Sequence, residues 1–245
     1  MPIDWRALTD GPLPLDYYAV TVRGGAVAAQ KVYYRTDAAQ TGLPPFDGLC
    51  AAGLLRPFSF GTDDAGNKKY DFALTREFRA VCHAVARQYP FFDAERVIAL
   101  DSLMQRSGAA QGKIVGMKVQ DKTVKSVCLY LRTALPCTDE RADDAAQLAA
   151  AFARVQAPSC PPPSGKDVQL YLVALDFAQT AFKLKLYYKF LERSAPAQLV
   201  PLLAHSGCAD LAARLLQAGG FLEGFQIALS EEGESFNFYL KPPDA

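Results

Sequence analysis

Histidine is scarce in this sequence, with two in 245 residues, and closely spaced cysteine pairs are missing. His83 and His205 have no ligand-type partner four residues away, and Cys50, Cys82, Cys128, Cys137, Cys160 and Cys208 form no CxxC. Those absences exclude the usual imidazole and thiolate zinc sites, and both histidines read as structural. A chain of this length needs no disulfide staples, so the cysteines are expected to be reduced and mostly buried. Net charge is also lacking, since 26 Lys+Arg balance 26 Asp+Glu. No global field draws the chain to nucleic acid or to an anionic membrane, and any charged ligand must be held by local charge. No apolar run approaches the roughly 18–20 residues that span a bilayer. Met1-Pro-Ile-Asp-Trp-Arg6 lacks the basic and apolar regions of a secretion signal, which makes the cytoplasm the expected location.

Several motifs are missing as well. There is no GxGxxG and no GxSxG elbow. Gly108-Ala-Ala-Gln-Gly-Lys113 is one residue short of a P-loop and lacks the following Ser or Thr, so it reads as a turn. What the chain does have is a hydrophobic half, 50% of its residues, beside 21% charged ones. That is enough to bury a full core, and a single domain over residues 1–245 is expected.

Four segments share one pattern, a short strand, a turn and an alternating second strand. Tyr17 to Arg23 turns at Gly24-Gly25, whose freedom at positive φ suits a hairpin, and returns as Lys31 to Arg35. Lys113 to Val119 pairs with Val124 to Arg132, Val168 to Leu175 with Phe182 to Lys189, and Phe225 to Leu229 with Ser235 to Lys241. Helices are expected over Phe72 to Gln88, Arg141 to Val155, Ala197 to Ala204 and Ala209 to Ala218. Pro161-Pro-Pro-Ser-Gly165 reads as a stiff linker. The breakers in Gly42 to Gly66 suggest a loop covering a site.

Each second strand closes on Tyr-x-Lys/Arg: Tyr33-Tyr-Arg35, Tyr130-Leu-Arg132, Tyr187-Tyr-Lys189 and Tyr239-Leu-Lys241. Side chains in a strand alternate between faces, so the Tyr, the cation two places on and the residue two places earlier point the same way. Those earlier residues are Lys31, Cys128, Lys185 and Asn237. The opposite faces carry apolar and aromatic residues such as Val32, Leu129, Leu184, Phe236 and Phe238, which need helices to cover them. One reading is an ordinary antiparallel sheet with its polar face in water. The other closes the strands into a barrel whose lumen is rich in cations and phenols. Ammonium and guanidinium groups hold a polyanion, and phenol faces stabilise a carbocation.

These segments resemble the ABBA prenyltransferases, and among them look most similar to the cyanobactin-type peptide prenyltransferases. The resemblance is carried by Leu15-Asp-Tyr-Tyr to Lys31-Val-Tyr-Tyr-Arg35, by Asp101-Ser-Leu-Met-Gln-Arg106 with Gly116-Met-Lys-Val119 and Cys128-Leu-Tyr-Leu-Arg132, and by the Tyr-Tyr-Lys and Tyr-Leu-Lys strands. It implies an α/β fold: an antiparallel barrel, lined by polar residues and ringed by helices, made of repeated α-β-β-α units. The family has five such units and four hairpins can be counted here. Either a fifth is hidden in Leu54 to Phe72, or the barrel is shortened to four and partly open, which would call for a lid, a partner or a second subunit.

The implied reaction ionises an allylic diphosphate such as dimethylallyl diphosphate, and a peptide side chain or aromatic small molecule captures the cation. The shared phase of the repeats puts Lys31, Arg35, Tyr130, Arg132, Lys185, Tyr187, Lys189, Tyr239 and Lys241 in one cavity, which the resemblance makes a diphosphate site, with Lys118 and Lys183 less clearly placed. Asp16 matches the acidic residue opening the family's first hairpin and is the candidate base or orienting group; its other reading is a solvated turn residue, and Asp101 and Glu234 are next in line. Asp63-Asp64 and Asp143-Asp144 are not DDxxD magnesium clusters and read as a polar loop and a helix start. No tightly bound cofactor is expected, and Mg2+ enters only as a diphosphate counterion. A non-catalytic module that captures a peptide or an anion remains the alternative.

Overall fold

The computed structural model describes residues 4, 8–10, 12–37, 41–43, 45–106, 112–138, 140–159, 167–191, 204 and 220–243. Ten strands run in hairpin order: β1 (Leu15–Arg23), β2 (Ala26–Arg35), β3 (Leu55–Asp63), β4 (Lys68–Leu74), β5 (Gly112–Gln120), β6 (Thr123–Pro136), β7 (Val168–Ala178), β8 (Phe182–Phe190), β9 (Phe221–Ser230) and β10 (Gly233–Lys241). All neighbours are antiparallel, and β1 pairs with β10, so the sheet closes into a barrel with no free edge. Closure removes the condition under which a second subunit would be needed to complete the lumen.

Four helices lie in the connections between hairpins. They are α1 (Phe46–Ala51), α2 (Phe78–Gln88), α3 (Ala94–Arg106) and α4 (Glu140–Ala153). Every hairpin turn therefore falls at one end of the barrel, and every helix-bearing connection starts from the other. The ends are called here the turn end and the helix end.

Alternation makes this barrel polar inside and apolar outside. Leu184, Leu186 and Tyr188 of β8, Leu129 and Leu131 of β6, and Phe236, Phe238 and Leu240 of β10 are buried in an outer jacket. The alanine face of α4, with Ala142, Ala145, Ala146, Ala149 and Ala150 buried, packs there too, because small side chains let helix and sheet approach closely. No described helix is long and apolar enough to cross a membrane.

Two expectations are corrected here. Gly42 to Gly66 is not a covering loop: it contains α1 and β3, and β3 with β4 forms the fifth hairpin. The helix expected from Phe72 begins at Phe78, because Phe72 to Leu74 end β4, where Phe72 is fully buried against Phe46. The expected helix over Arg141 to Val155 is found as α4. The helices expected at Ala197 to Ala204, apart from Ala204, and at Ala209 to Ala218 lie outside the described residues, as do Pro161 to Gly165, Cys160, His205 and Cys208.

Candidate active site

Inward side chains of the ten strands enclose a lumen that narrows at a tier of tyrosines. Tyr239 sits at its centre, 6.3 Å from Tyr33 and 5.1 Å from Tyr187 between ring centroids. Lys69 of β4 places its ammonium 5.2 Å from the rings of both Tyr33 and Tyr130. Glycines on neighbouring strands make room for these rings. A Cβ at Gly61 would stand 2.7 Å from Tyr33, and one at Gly224 would stand 2.8 Å from the Tyr187 hydroxyl. Burial pushes the phenols of Tyr33, Tyr130, Tyr187 and Tyr239 upward, so they stay neutral and present hydroxyl donors and ring faces.

Towards the turn end lies a cavity of about 680 Å³. Lys31, Lys69, Lys118, Lys183, Lys185, Arg23, Lys68 and Lys125 line it, against two carboxylates, Asp63 and Asp176. Asp176 holds Lys185 at 2.5 Å, and Asp63 holds Lys118 at 3.2 Å. Burial opposes the charge of Lys185, but Asp176 keeps its pKa raised. Among the described residues Lys31 has no carboxylate partner, and it donates to Asn237 Oδ1 at 3.0 Å. Burial, followed by the charges of Lys185, Lys69 and Lys118, lowers it to about 7. Cys128 lies beside Lys185, 3.9 Å from its ammonium, and burial pushes its thiol up to about 12. Of the described cysteines, Cys82 and Cys128 are buried while Cys50 and Cys137 are half-buried, all as free thiols.

Beyond the tyrosine tier, towards the helix end, lies a smaller cavity of about 170 Å³. Tyr17, Phe58, Asp71, Tyr171, Lys189 and Glu223 are among its walls. Three of these enter through irregularities in the ladder. Phe58 is the extra residue between Pro57 and Ser59 opposite β4, Tyr171 that between Leu170 and Leu172 opposite β8, and Glu223 that between Leu222 and Gly224 opposite β10. An extra residue breaks the alternation and re-aims a side chain. Asp16 is displaced in the same way, between Leu15 and Tyr17 opposite β2.

The nine residues expected to form one diphosphate cavity are therefore divided between the ends. Lys31, Lys185, Tyr130 and Tyr239 line the larger cavity, whereas Tyr187 and Lys189 line the smaller one together with Tyr130 and Tyr239. Arg35, Arg132 and Lys241 line neither. The terminal cation of each Tyr-x-Lys/Arg is engaged at the helix end. Arg35 bonds Asp16 at 3.0 Å, Lys189 and Lys241 each lie 3.2 Å from Glu223, and Arg132 lies 4.8 Å from the Tyr171 ring. One pleat closer to the turn end, two residues before the tyrosines, Lys185 is held by Asp176, whereas Lys31 has no carboxylate partner among the described residues.

Asp16 is buried and lines neither cavity; burial raises its carboxyl, and the bond from Arg35 partly offsets that. The two reserve candidates lie outside the lumen. Asp101 sits on α3, 3.2 Å from Lys113, and Glu234 accepts bonds from the amide and hydroxyl of Ser159. Lys69, Asp71, Glu223 and Gln226 were missed by sequence reading. Lys69-Tyr-Asp71 had a signal, since it continues the spacing of Lys31-Val-Tyr33 and Lys185-Leu-Tyr187 with Asp in the tyrosine position.

No known family profile matches the chain, and no curated protein matches it. Among solved structures it is similar to 5-dimethylallyltryptophan synthase from Streptomyces coelicolor, with 14% identity, 92% of this chain and 80% of that chain covered, and a TM-score of 0.52. The same enzyme in complex with DMASPP and Trp aligns at 15% identity over 92% of this chain and 78% of that chain, with a TM-score of 0.51. The likeness is one of fold, the closed antiparallel barrel of the ABBA prenyltransferases.

Proposed function

We propose that this barrel transfers an allylic isoprenyl group from a diphosphate donor to an aromatic acceptor, either a small molecule or an aromatic side chain presented by a peptide. The observation that carries the proposal is the division of the lumen. A cavity with an excess of lysines is separated by a tier of neutral phenols from a small aromatic cavity holding carboxylates. In this reading Lys31, Lys69 and Lys185 hold the diphosphate and stabilise the charge that develops as it leaves. Tyr33, Tyr130, Tyr187 and Tyr239 surround the allylic cation with ring faces and exclude water from it. The acceptor ring fills the smaller cavity, whose size of about 170 Å³ suits one side-chain-sized group. Asp16 serves as an orienting residue, holding Arg35 at the rim beside Tyr17. In the balanced step the donor C1–O bond breaks with its electrons passing to diphosphate, the acceptor bonds to C1, and the acceptor loses a proton.

Incubation with dimethylallyl diphosphate and tryptophan, or a short peptide bearing tryptophan or tyrosine, should release pyrophosphate together with a product heavier by one dimethylallyl group. Mass spectrometry and a pyrophosphate assay read the two. Binding of diphosphate with no release from any of these acceptors would leave the barrel as an anion-capturing module.

A further inference from the structure

The five hairpins invite comparison at one register. On β2, β6, β8 and β10 the residue two places after Lys31, Cys128, Lys185 and Asn237 is a tyrosine, and together these four make the tier. On β4 the residue two places after Lys69 is Asp71. The aromatic tier thus has a carboxylate at its fifth position. Asp71 is buried, and after burial itself its charge is one of the contributions that raise the phenols of Tyr33, Tyr130 and Tyr239.

Its two oxygens differ. Oδ2 receives the Lys69 ammonium at 3.1 Å, whereas Oδ1 is buried without a hydrogen-bond partner. A buried carboxylate oxygen costs free energy unless something donates to it. The strand opposite contributes Gly116, where a Cβ would lie 2.6 Å from Oδ1, so only glycine there leaves room for that oxygen at the tier. The other acids of the lumen are engaged differently. Both Glu223 oxygens face an ammonium at 3.2 Å, Asp16 is bonded to Arg35, and Asp63 and Asp176 lie among the lysines of the larger cavity. Among the described residues, Asp71 alone joins a place in the smaller cavity to an oxygen with neither ion-pair nor hydrogen-bond partner.

We infer that Asp71 is the carboxylate that meets the acceptor, and that the acceptor is a phenol or an indole alkylated at its O–H or N–H. The inference rests on the prenyl-transfer reading above. Oδ1 accepts a hydrogen bond from the acceptor's O–H or N–H and so turns its lone pair towards C1 of the allylic cation. As the new bond to C1 forms, the proton passes to Oδ1 and from there to solvent, while both electrons of the broken C1–O bond leave with diphosphate. Nothing is oxidised or reduced. Lys69 holds the other oxygen, which fixes the carboxylate's orientation at the tier.

The test compares wild type with Asp71→Asn, and with Asp71→Tyr, which restores the tyrosine of the other hairpins. Dimethylallyl diphosphate is supplied with tyrosine- and tryptophan-containing acceptors. The readout is the ratio of alkylated acceptor to released pyrophosphate, which counts outcomes per ionised donor and so does not depend on how much of a variant is folded. General-base contacts contribute ~100-fold or more, and a fall in the ratio of at least ~10-fold is expected in both variants. A fall of less than ~3-fold in either variant would remove Asp71 from the acceptor site while leaving prenyl transfer intact. A wild type that releases no pyrophosphate would overturn the prenyl-transfer reading, and this inference with it.

Discussion

At the scale of single residues, the most informative group is Lys31. It is a buried ammonium held by an amide oxygen rather than a carboxylate, lowered to about 7 by burial and by Lys185, Lys69 and Lys118. An unfolded lysine titrates near ~10.4. Between these values the unfolded chain binds more protons than the folded one, so stability rises with pH through that window; below it the cost of the buried charge is fully present. A bound anion reverses the preference by favouring the charged form. Donor binding above pH ~7 should then take up a proton and weaken as pH rises. Titrating a non-ionisable allylic diphosphate analogue from pH ~7 to ~9 should show affinity falling in wild type and a flatter profile in Lys31→Met, and the apo melting temperature of that variant should lose part of its rise over the same range. Parallel profiles for the two proteins would assign the titration to another group.

Strands and their connections show a second kind of constraint. Ladder irregularities occur towards both ends, at Thr21/Val22 and Lys118/Val119 near the turns, but those towards the helix end bring Phe58, Tyr171 and Glu223 into the wall of the smaller cavity. The irregularity at Glu223 is supported by Gly224, whose backbone runs so close to β8 that a Cβ would stand 2.3 Å from the Tyr188 carbonyl oxygen. A carbonyl in a ladder cannot rotate away as a side chain can. Gly224→Ala should therefore cost on the order of 1–3 kcal/mol, as overpacking does. Gly48→Ala, within α1 and with nothing within 4 Å of its Cβ, should stabilise by up to ~1 kcal/mol through helix propensity. Thermal melting of the two variants in parallel checks the pair. Equal effects would mean that the close approach at β8 and β9 is not a constraint on this fold.

Over the whole molecule, opposite charges balance to zero but are not evenly spread. The turn-end cavity collects eight cations against two carboxylates, while the terminal cations of the helix end are matched with Asp16, Glu223 or a ring. Repulsion within the empty cavity is relieved by an anion, so diphosphate should stabilise the folded chain. Pyrophosphate at ~100 times its dissociation constant should add about 2.7 kcal/mol, which is read as a melting temperature raised by several degrees. Lys185→Ala should shrink that rise, and Arg132→Ala, whose side chain lines neither cavity, should not. A rise abolished by Arg132→Ala would put the anion at the helix end instead. Association should also slow with ionic strength, because the long-range part of the attraction is screened over ~10 Å at 0.1 M salt.

The sequence alone determined which side chains share a face. Period-two alternation is a local rule, and it was enough to place Lys31, Tyr33, Tyr130, Lys185, Tyr187 and Tyr239 inside and Leu129, Leu184, Leu186, Phe236 and Phe238 in the jacket. It was enough for four hairpins. The fifth was hidden because Arg56-Pro57 and Asp63-Asp-Ala-Gly66 read as breakers and Phe72 read as the start of a helix, although in β3 the proline simply adjoins a bulge, a position that tolerates a missing N–H. Closure of the barrel, and with it the choice between a solvated sheet and an enclosed lumen, depended on β1 meeting β10, a pairing across nearly the whole chain. Tertiary structure also decided which charges are free. Asp16 meets Arg35 and Glu223 meets Lys189 and Lys241 because ladder irregularities turn these carboxylates out of the alternation. Alternation reads the face of a residue from its neighbours in sequence, but an ion pair is set by the neighbour across the ladder, and one extra residue in a strand changes both.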